Sequence, residues 1–233
     1  MIDFHSHILP GIDDGSKDVE MSLRMIEALR DQEVDTVVAT SHFYATQRTP
    51  ARYIERRQEA YEKLLPVLPE GSPRILLGAE VLYFPGISHM SELPRLCMEG
   101  TNVLLLEMPF DLWKEYYIRE VRELARCGDF TILMAHIERY FFQQPIDIWD
   151  EFLDLGILMQ SNADFFLPFK TRRKAIRLLS EGRIHVLGTD THNTTNRAPR
   201  MDEAVRMIGR HCGQETLEYI DELGRWLLSG GSK

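Results

Sequence analysis

The sequence has little of what several common protein classes depend on. Its three cysteines, Cys97, Cys127 and Cys212, are odd in number and widely spaced, which argues against a disulfide framework. None is followed by an arginine six positions later, as a thiol-based phosphatase loop requires. The formal charge is −9 and no basic stripe is visible, so we expect no nucleic-acid partner.

Long apolar runs are also missing. No stretch approaches the length of a membrane span, and the N-terminus has no basic segment followed by an apolar run. We therefore expect a cytoplasmic protein without an integral membrane segment. The sequence does not predict the oligomeric state.

Histidine is scarce, yet two of the eight histidines lie close together in the opening stretch MIDFHSHILPGIDDG. His5 and His7 are two positions apart, and two aspartates follow at Asp13 and Asp14. The stretch is either a polar start to an ordinary strand or the first part of a metal site.

Short apolar segments alternate with amphipathic ones along the whole chain. The predicted strands are 2–5, 36–40, 74–80, 103–107, 131–136, 157–161 and 185–190. Helices are expected after a Ser16 N-cap, before Gly128, and at about 50–66, 146–155, 169–181, 198–212 and 214–228. The pattern predicts a single α/β domain over residues 1–233 with a barrel-like sheet; an open doubly wound sheet is the alternative. The end at Gly230, Gly231 and Ser232 is expected to fray.

Polar residues collect where the predicted strands end. Six of the seven strands finish on or beside good metal ligands, and the strand 157–161 finishes at Ser161 and Asn162. The ligand candidates are His5, His7, His42, Glu80, Glu107, His136, Asp190 and His192. In α/β barrels the residues at the carboxyl ends of the strands converge on one face, where function lies.

The types of these residues indicate a metal site. Residues i and i+2 of a strand face the same side, so His5 and His7 can bind one ion together, and Asp190 and His192 repeat this spacing. Mixed histidine and carboxylate ligands suit Mn²⁺, Fe²⁺ or Zn²⁺. Five histidines, two glutamates and at least two aspartates exceed the needs of one ion, so two or three ions are expected.

The sequence spacing says less about the roles of several other polar residues. Either Asp13 or Asp14 could be a ligand, because both could also stabilise the turn before Gly15; Asp14 is favoured. Asp3 and Asp164 are interpreted as supporting or structural residues. His89, His185 and His211 do not follow a strand in this way and are interpreted as surface or structural histidines.

At HSHILPGIDDG, ATSHF, GAEV, AHIERY and TDTHN the sequence resembles the PHP superfamily of polymerase and histidinol phosphatase domains. Within it the order and spacing are similar to the CpsB-type metal-dependent tyrosine-protein phosphatases, which are linked in bacteria to capsule and exopolysaccharide synthesis. The resemblance covers residues 1 to about 228. It implies a distorted seven-stranded (β/α)7 TIM-like barrel and a site for two to three divalent ions, usually manganese.

The resemblance also implies roles for individual residues. His5, His7, Glu80 and Asp190 would hold the first ion, Glu80 would bridge to a second held with Glu107 and His136, and Asp14, His42 and His192 would hold the third. Arg139 and Arg197 match arginines that the family places around the substrate phosphate. A guanidinium fits phosphate oxygens bidentately, although a surface ion pair, such as Arg139 with Glu138, is the alternative reading.

The leading functional hypothesis is a metal-dependent protein-tyrosine phosphatase that hydrolyses phosphotyrosine with a metal-activated hydroxide. The resemblance implies a bacterial tyrosine kinase of capsule or exopolysaccharide synthesis as the substrate protein. A small-molecule phosphomonoesterase, such as a histidinol-phosphate phosphatase, could use the same metals. A non-catalytic metal-binding module that binds a partner protein is the third reading.

Overall fold

The computed structural model describes residues 1–230, in which nine strands alternate with seven α-helices. The predicted fraying at Gly231 and Ser232 lies outside the described residues. The strands are β1 Ile2–Ser6, β2 Thr36–Ala39, β3 His42–Phe43, β4 Arg74–Leu77, β5 Glu80–Leu82, β6 Val103–Glu107, β7 Thr131–Met134, β8 Leu158–Asn162 and β9 Val186–Gly188. The helices are α1 Val19–Asp31, α2 Pro50–Leu64, α3 Glu115–Cys127, α4 Ile146–Asp154, α5 Phe169–Ser180, α6 Met201–Cys212 and α7 Gln214–Leu228.

The strands form a curled parallel sheet within a mixed α/β fold. One part has the order β1-β2-β4 and the other the order β3-β5-β6-β7-β8-β9, with parallel pairing throughout. The chain just after β9 returns to β1, where the His7 amide donates to the Thr191 carbonyl at 2.9 Å and the Asp190 amide donates to the His5 carbonyl at 2.7 Å. The carboxyl ends of the first and last strands therefore lie side by side.

Two predicted strands end earlier than expected, and a short strand follows each of them. The predicted strand 36–40 ends at Ala39 and is followed by β3, and the predicted strand 74–80 divides into β4 and β5. Polar side chains of α2 bind the backbone carbonyls at both breaks: the Tyr53 hydroxyl donates to the Ser41 carbonyl at 2.6 Å, and Arg57 Nη1 donates to the Gly78 carbonyl at 2.7 Å. Because buried carbonyls need hydrogen-bond donors, α2 makes these breaks possible.

The breaks change the placement of two predicted ligands. Glu80 was predicted to end a strand and His42 to follow one. Each instead begins a new short strand, and the two residues are partners in the β3–β5 register. The Glu80 amide donates to the Thr40 carbonyl at 3.1 Å. This hydrogen bond holds the first residue of β5 beside the segment between β2 and β3.

The helices pack apolar faces against the sheet. In α1 the buried residues are Ser22, Met25, Ile26 and Leu29, which recur at helical spacing. The N-cap of this helix is Asp18, whose carboxylate accepts from the Met21 amide at 2.8 Å, so the predicted Ser16 cap was wrong. Across residues 1–230 every helix is too short or too polar to cross a bilayer.

His185 supports the fold through its uncharged form. Its Nδ1 accepts from the Met159 amide at 3.0 Å beside β8, and burial lowers its pKa from 6.5 to about 4. A pKa that is lower in the folded than in the unfolded protein contributes stability above about pH 6.5, and this stability is lost as pH falls toward 4. After allowance for the partly exposed ring, the loss is about 2 kcal/mol.

We expect His185→Asn, which keeps an acceptor for the Met159 amide, to remove this pH dependence. Urea unfolding of wild type and variant at pH 7 and pH 4.5, both in EDTA, measures the difference in unfolding free energy. The variant should gain stability relative to wild type by about 1–2 kcal/mol on acidification. An identical difference at both pH values would contradict the role given to His185.

Candidate metal centre

Five of the eight histidines form one cluster at the carboxyl edge of the sheet. The ring centroids of His7 and His192 are 3.9 Å apart, and those of His7 and His42 are 4.6 Å apart. His5 lies between His7 and His136, at 5.2 and 5.5 Å. Four of these rings are buried and His42 is partly buried, so the cluster lies largely below the protein surface.

Carboxylates complete the cluster. Among residues 1–230, four groups of side chains bring one ligand atom each within 4.8 Å of the others. The groups are His7, Asp14, His42 and His192; His5, His7 and Asp190; His5, Glu80 and His136; and His42, Glu80 and Glu107. The structure thus brings together all nine residues that the sequence singled out as ligands, and none of the three cysteines is in these groups.

The facing atoms suit cations better than they suit one another. His5 Nε2 and His7 Nε2 are 3.1 Å apart, two ring nitrogens directed at the same point. His42 Nδ1 is 2.7 Å from Glu80 Oε2, but both atoms are buried without a properly aligned hydrogen bond. His192 Nε2 is likewise buried without such a bond. Buried unpaired ligand atoms of this kind fit divalent cations with nitrogen and oxygen ligands.

Charge compensation dominates the electrostatics of the cluster. Burial opposes ionisation of Glu80 and Asp190, but the surrounding histidines, and Arg139 at Asp190, hold the pKa of each carboxyl well below its usual range. Burial alone would lower the pKa of His136, yet hydrogen bonds to Glu107 and Glu80 raise it to about 9. Burial and the neighbouring His7 lower the pKa of His192 to about 4, which leaves a neutral ring able to bind a metal.

The backbone approaches the first two histidines closely at two glycines. A Cβ atom at Gly188 would lie 2.5 Å from the Cβ of His5, and one at Gly15 would lie 2.4 Å from the Cβ of His7. Any larger residue would displace these rings. His136 and Asp190 themselves have positive φ angles, 29° and 52°, a conformation that costs about 1 kcal/mol or more and is concentrated at functional sites.

Asp13 and Asp14 have different positions. Asp14 lies with His42 and His192, its Oδ1 3.4 Å from each Nε2, and its side chain is 67% exposed. Asp13 instead accepts from the other side of the cluster: its Oδ2 is 2.8 Å from His7 Nδ1 and 2.9 Å from the His42 amide nitrogen. Asp13 therefore orients His7, as the outer partner of a metal-binding histidine does.

Sequence reasoning missed Gln160 as part of the centre. Its Oε1 accepts from the His136 amide at 2.7 Å and lies 3.2 Å from His5 Nδ1, and its Nε2 donates to Asn162 Oδ1 at 3.0 Å. The side-chain amide of Gln160 thus positions two histidines, His5 in β1 and His136 just beyond β7. The only signal in the sequence was its position on the same face of β8 as Asn162, two residues earlier.

Asp3 has the supporting role predicted for it. Its carboxylate is buried and accepts from the Thr189 amide at 2.8 Å, from the Thr189 hydroxyl at 2.6 Å and from the His5 amide at 3.1 Å. These bonds tie β1 to the end of β9. The predicted structural residue Asp164 is exposed and lies 3.5 Å from Arg200.

Both predicted arginines reach the edge of the cluster. Arg139 Nη2 contacts Asp190 Oδ2, and Arg197 Nη2 donates to Asp190 Oδ1 at 2.8 Å. Both side chains are about one third exposed, at 35% and 36%. Glu138, offered as an ion-pair partner for Arg139, accepts instead from Ser161 Oγ at 3.2 Å and from the Asn162 amide. A cavity of about 300 Å³ opens here, lined in part by Arg139, Arg197 and Asp190.

Aromatic side chains lie beside the cluster on two sides. Arg139 lies over the ring of Phe110, 5.7 Å from its centroid, and Phe110 is about half exposed. Tyr44 stacks on His42 with ring centroids 5.2 Å apart. The mouth of the centre therefore presents two cationic groups and apolar ring surface next to a buried set of metal ligands.

Comparison with known proteins agrees with this arrangement. A family model described as "Capsular polysaccharide synthesis, CpsB/CapC" matches residues 1–222. The tyrosine-protein phosphatase CpsB of Streptococcus agalactiae is 29% identical over 94% of each chain, and the tyrosine-protein phosphatase YwqE of Bacillus subtilis is 27% identical over 98% of this chain and 91% of its own.

A solved structure shares the fold. It comes from work on YwqE of Bacillus subtilis and CpsB of Streptococcus pneumoniae, described as unique metal-dependent tyrosine phosphatases. It superposes with a TM-score of 0.86 at 24% identity, covering 100% of this chain and 96% of the other. The resemblance inferred from the sequence motifs is confirmed: the chain belongs to the CpsB/CapC family of capsular polysaccharide synthesis.

Proposed function

We propose that this protein is a metal-dependent protein-tyrosine phosphatase. The observation that carries the proposal is the position of Arg139 and Arg197 on Asp190, at the edge of a largely buried cluster of nine candidate metal ligands. A site that pairs several candidate metal ligands with two guanidinium groups suits a phosphate ester. The relatives named tyrosine-protein phosphatases, which align over nearly the whole chain, support phosphotyrosine as the substrate.

The proposed ligands divide among two to three ions, with Mn²⁺ favoured and Fe or Zn as alternatives. The first ion is assigned to His5, His7, Glu80 and Asp190, the second to Glu80, Glu107 and His136, and the third to Asp14, His42 and His192. Three distances support the first two groups: Glu80 Oε2 lies 3.3 Å from His5 Nε2 and 3.4 Å from His7 Nε2, and His136 Nε2 lies 3.2 Å from Glu107 Oε1. Bound ions would lower the pKa of a coordinated water and neutralise phosphoryl oxygens.

The chain's own residues then bind and orient the substrate. Arg139 and Arg197 are held at the cavity by Asp190, from which each guanidinium can donate to phosphate oxygens. Phe110, beside Arg139, offers a ring surface to the substrate's aromatic group. A tyrosine leaving group has a pKa of about 10, so it needs little protonation by the protein.

The wider assignment follows the same reasoning. We propose that residues 1–233 are one phosphatase domain whose interrupted strands act as seven segments of a distorted (β/α)7 barrel, closed where the chain after β9 meets β1. We assign the protein to the cytoplasm, with a bacterial tyrosine kinase of capsule or exopolysaccharide synthesis as its substrate protein. The family's role in capsular polysaccharide synthesis supports this partner.

Removal of metal should abolish the activity. We expect protein dialysed against EDTA to lose hydrolysis of a phosphotyrosine peptide and to regain it on addition of Mn²⁺, because the water must be activated by the ions. Alkylation with iodoacetamide should leave turnover unchanged, since the cysteines lie outside the cluster. Phosphate release is the measurement, with phosphoserine peptide and histidinol phosphate as comparison substrates. Full activity after EDTA treatment would refute the mechanism, and a higher kcat/KM on histidinol phosphate would refute the substrate.

The two neighbouring aspartates should behave differently. Asp14→Ala should lower the metal content by one ion per chain, because it removes a proposed ligand. Asp13→Asn should keep the stoichiometry but weaken Mn²⁺ binding about ten- to a hundredfold, because it loosens the orientation of His7. Elemental analysis after gel filtration and Mn²⁺ titration measure both. The reverse pattern would make Asp13 the ligand.

Arg139→Ala should lower kcat on phosphotyrosine about a hundredfold or more, because it removes a preorganised donor to the phosphoryl group. Arg139→Lys should recover only part of this loss, since an ammonium cannot donate bidentately. Metal content must be measured alongside, because Arg139 also contacts Asp190. Unchanged turnover in a variant with its metals bound would show that Arg139 does not clamp phosphate.

A further inference from the structure

Helix α5 has a charge pattern unlike that of the other helices in residues 1–230. It contains five basic residues and no acidic residue, whereas each of the other six helices has at least one acidic residue. Four of its cations recur at i, i+3, i+4 and i+7, which places them on one face; we call this face the basic stripe, formed by Lys170, Arg173, Lys174 and Arg177. The opposite face is buried through Ala175, Leu178 and Leu179.

The prediction from the sequence overlooked this stripe. The expectation that the chain has no basic stripe was wrong at this helix, because the cations become neighbours only at helical spacing. All four are exposed, in a chain with a formal charge of −9. A local positive surface on an acidic protein selects for anionic partners, since the rest of the surface repels them.

The charge of the stripe is largely uncompensated. Arg177 pairs with Glu181 at 2.7 Å, and Lys174 lies over the ring of Phe142 at 4.5 Å. Lys170 and Arg173 have no ion pair with any residue of the described range 1–230. Among these residues the stripe therefore keeps at least two free cations directed to solvent.

The arrangement works against the stability of its own helix. Like charges three or four residues apart on a helix repel one another. Lys170 lies in the first turn, where the helix dipole disfavours cations, and this turn contains no acidic residue. Natural proteins tend to break such local rules at functional sites.

Helix α5, which carries the stripe, begins at the cavity beside the candidate metal centre. Pro168, the N-cap of α5, and Thr171 line the same cavity of about 300 Å³ as Arg139 and Asp190. Phe169, between them, is 90% exposed and stands at the start of the stripe. A ligand that places its phosphate at Arg139 can therefore continue across the rim onto the stripe.

We propose that the basic stripe docks an acidic segment of the phosphoprotein substrate, next to its phosphotyrosine; this rests on the proposed phosphatase function. From Lys170 to Arg177 the helix rises about 10 Å, which matches about three residues of extended peptide. Carboxylates of the substrate segment pair with Lys170 and Arg173, and an apolar side chain of the same segment contacts Phe169. The continuity with the cavity favours a polypeptide that enters the site over an anionic membrane surface.

The test compares substrates on the double variant Lys170→Glu/Arg173→Glu. For a phosphotyrosine peptide with aspartate and glutamate flanks, KM should rise about tenfold with kcat unchanged, and the effect should shrink as NaCl is raised. For free phosphotyrosine and a peptide with neutral flanks, KM should change less than about twofold. The substitutions place negative charge at the N-terminus of α5, where the helix dipole favours it, so folding should be retained.

The matched control is Lys63→Glu/Arg126→Glu. It makes the same change in net charge at exposed cations in the last turns of α2 and α3, and it should leave KM for the acidic peptide unchanged. An equal rise in KM in this control would attribute the effect to net charge and overturn the proposal. So would an unchanged KM for the acidic peptide in the stripe variant.

A vesicle-binding experiment distinguishes an anionic membrane surface from an acidic peptide as the partner of the basic stripe. Sedimentation with vesicles of phosphatidylglycerol and phosphatidylcholine tests membrane binding by both double variants. Loss of vesicle binding in the stripe variant with unaltered peptide kinetics would overturn the proposal and assign the stripe to lipid. Free phosphotyrosine reports separately on the phosphatase function, because its hydrolysis does not involve the stripe; no hydrolysis of any phosphotyrosine substrate by Mn²⁺-loaded wild type would refute both.

Discussion

The carboxylates of Glu80 and Asp190 are buried in the protein, and much of the surrounding structure compensates their charge. Histidines converge on both carboxylates, and Asp190 also receives two guanidinium groups. A buried carboxylate without positive partners would be too costly to keep ionised. Divalent cations would supply such charge more compactly than side chains do, and the candidate ligand atoms that face one another without good hydrogen bonds fit such ions.

The fold brings these groups together through irregularities in the sheet. Continuous strands would carry their side chains alternately to the two faces and would end at one level. The breaks before β3 and β5 restart the strands, so that His42 and Glu80 enter the cluster from positions that regular strands do not offer. Tyr53 and Arg57 of α2 support those breaks through hydrogen bonds to the backbone carbonyls of Ser41 and Gly78. A helix on the outside of the sheet thus helps to determine the geometry inside it.

Much of the candidate site could be predicted because the strand ends of parallel α/β folds share one edge. Candidate ligands at the ends of several strands are therefore expected to lie close together. The sequence could not show where strands break, because the donors that permit the breaks come from another element. It could not assign Asp13 or Gln160 either, since both act through hydrogen bonds to histidines rather than as candidate ligands themselves. The charge pattern of α5, by contrast, was predictable from helical spacing alone.

The pairing of β1 with the end of β9 has a consequence for folding. The hydrogen bonds from Thr189 to Asp3 join residues 186 positions apart, and the Asp190 amide donates a hydrogen bond to the His5 carbonyl. Contacts of such high sequence separation form late, because the entropy of closing the intervening loop is lost before they contribute. During synthesis β1 cannot form these hydrogen bonds until Thr189 and Asp190 have left the ribosome. The candidate ligands His5 and His7 therefore lack their final partners during synthesis, and we expect the candidate metal centre to assemble in the last stage of folding.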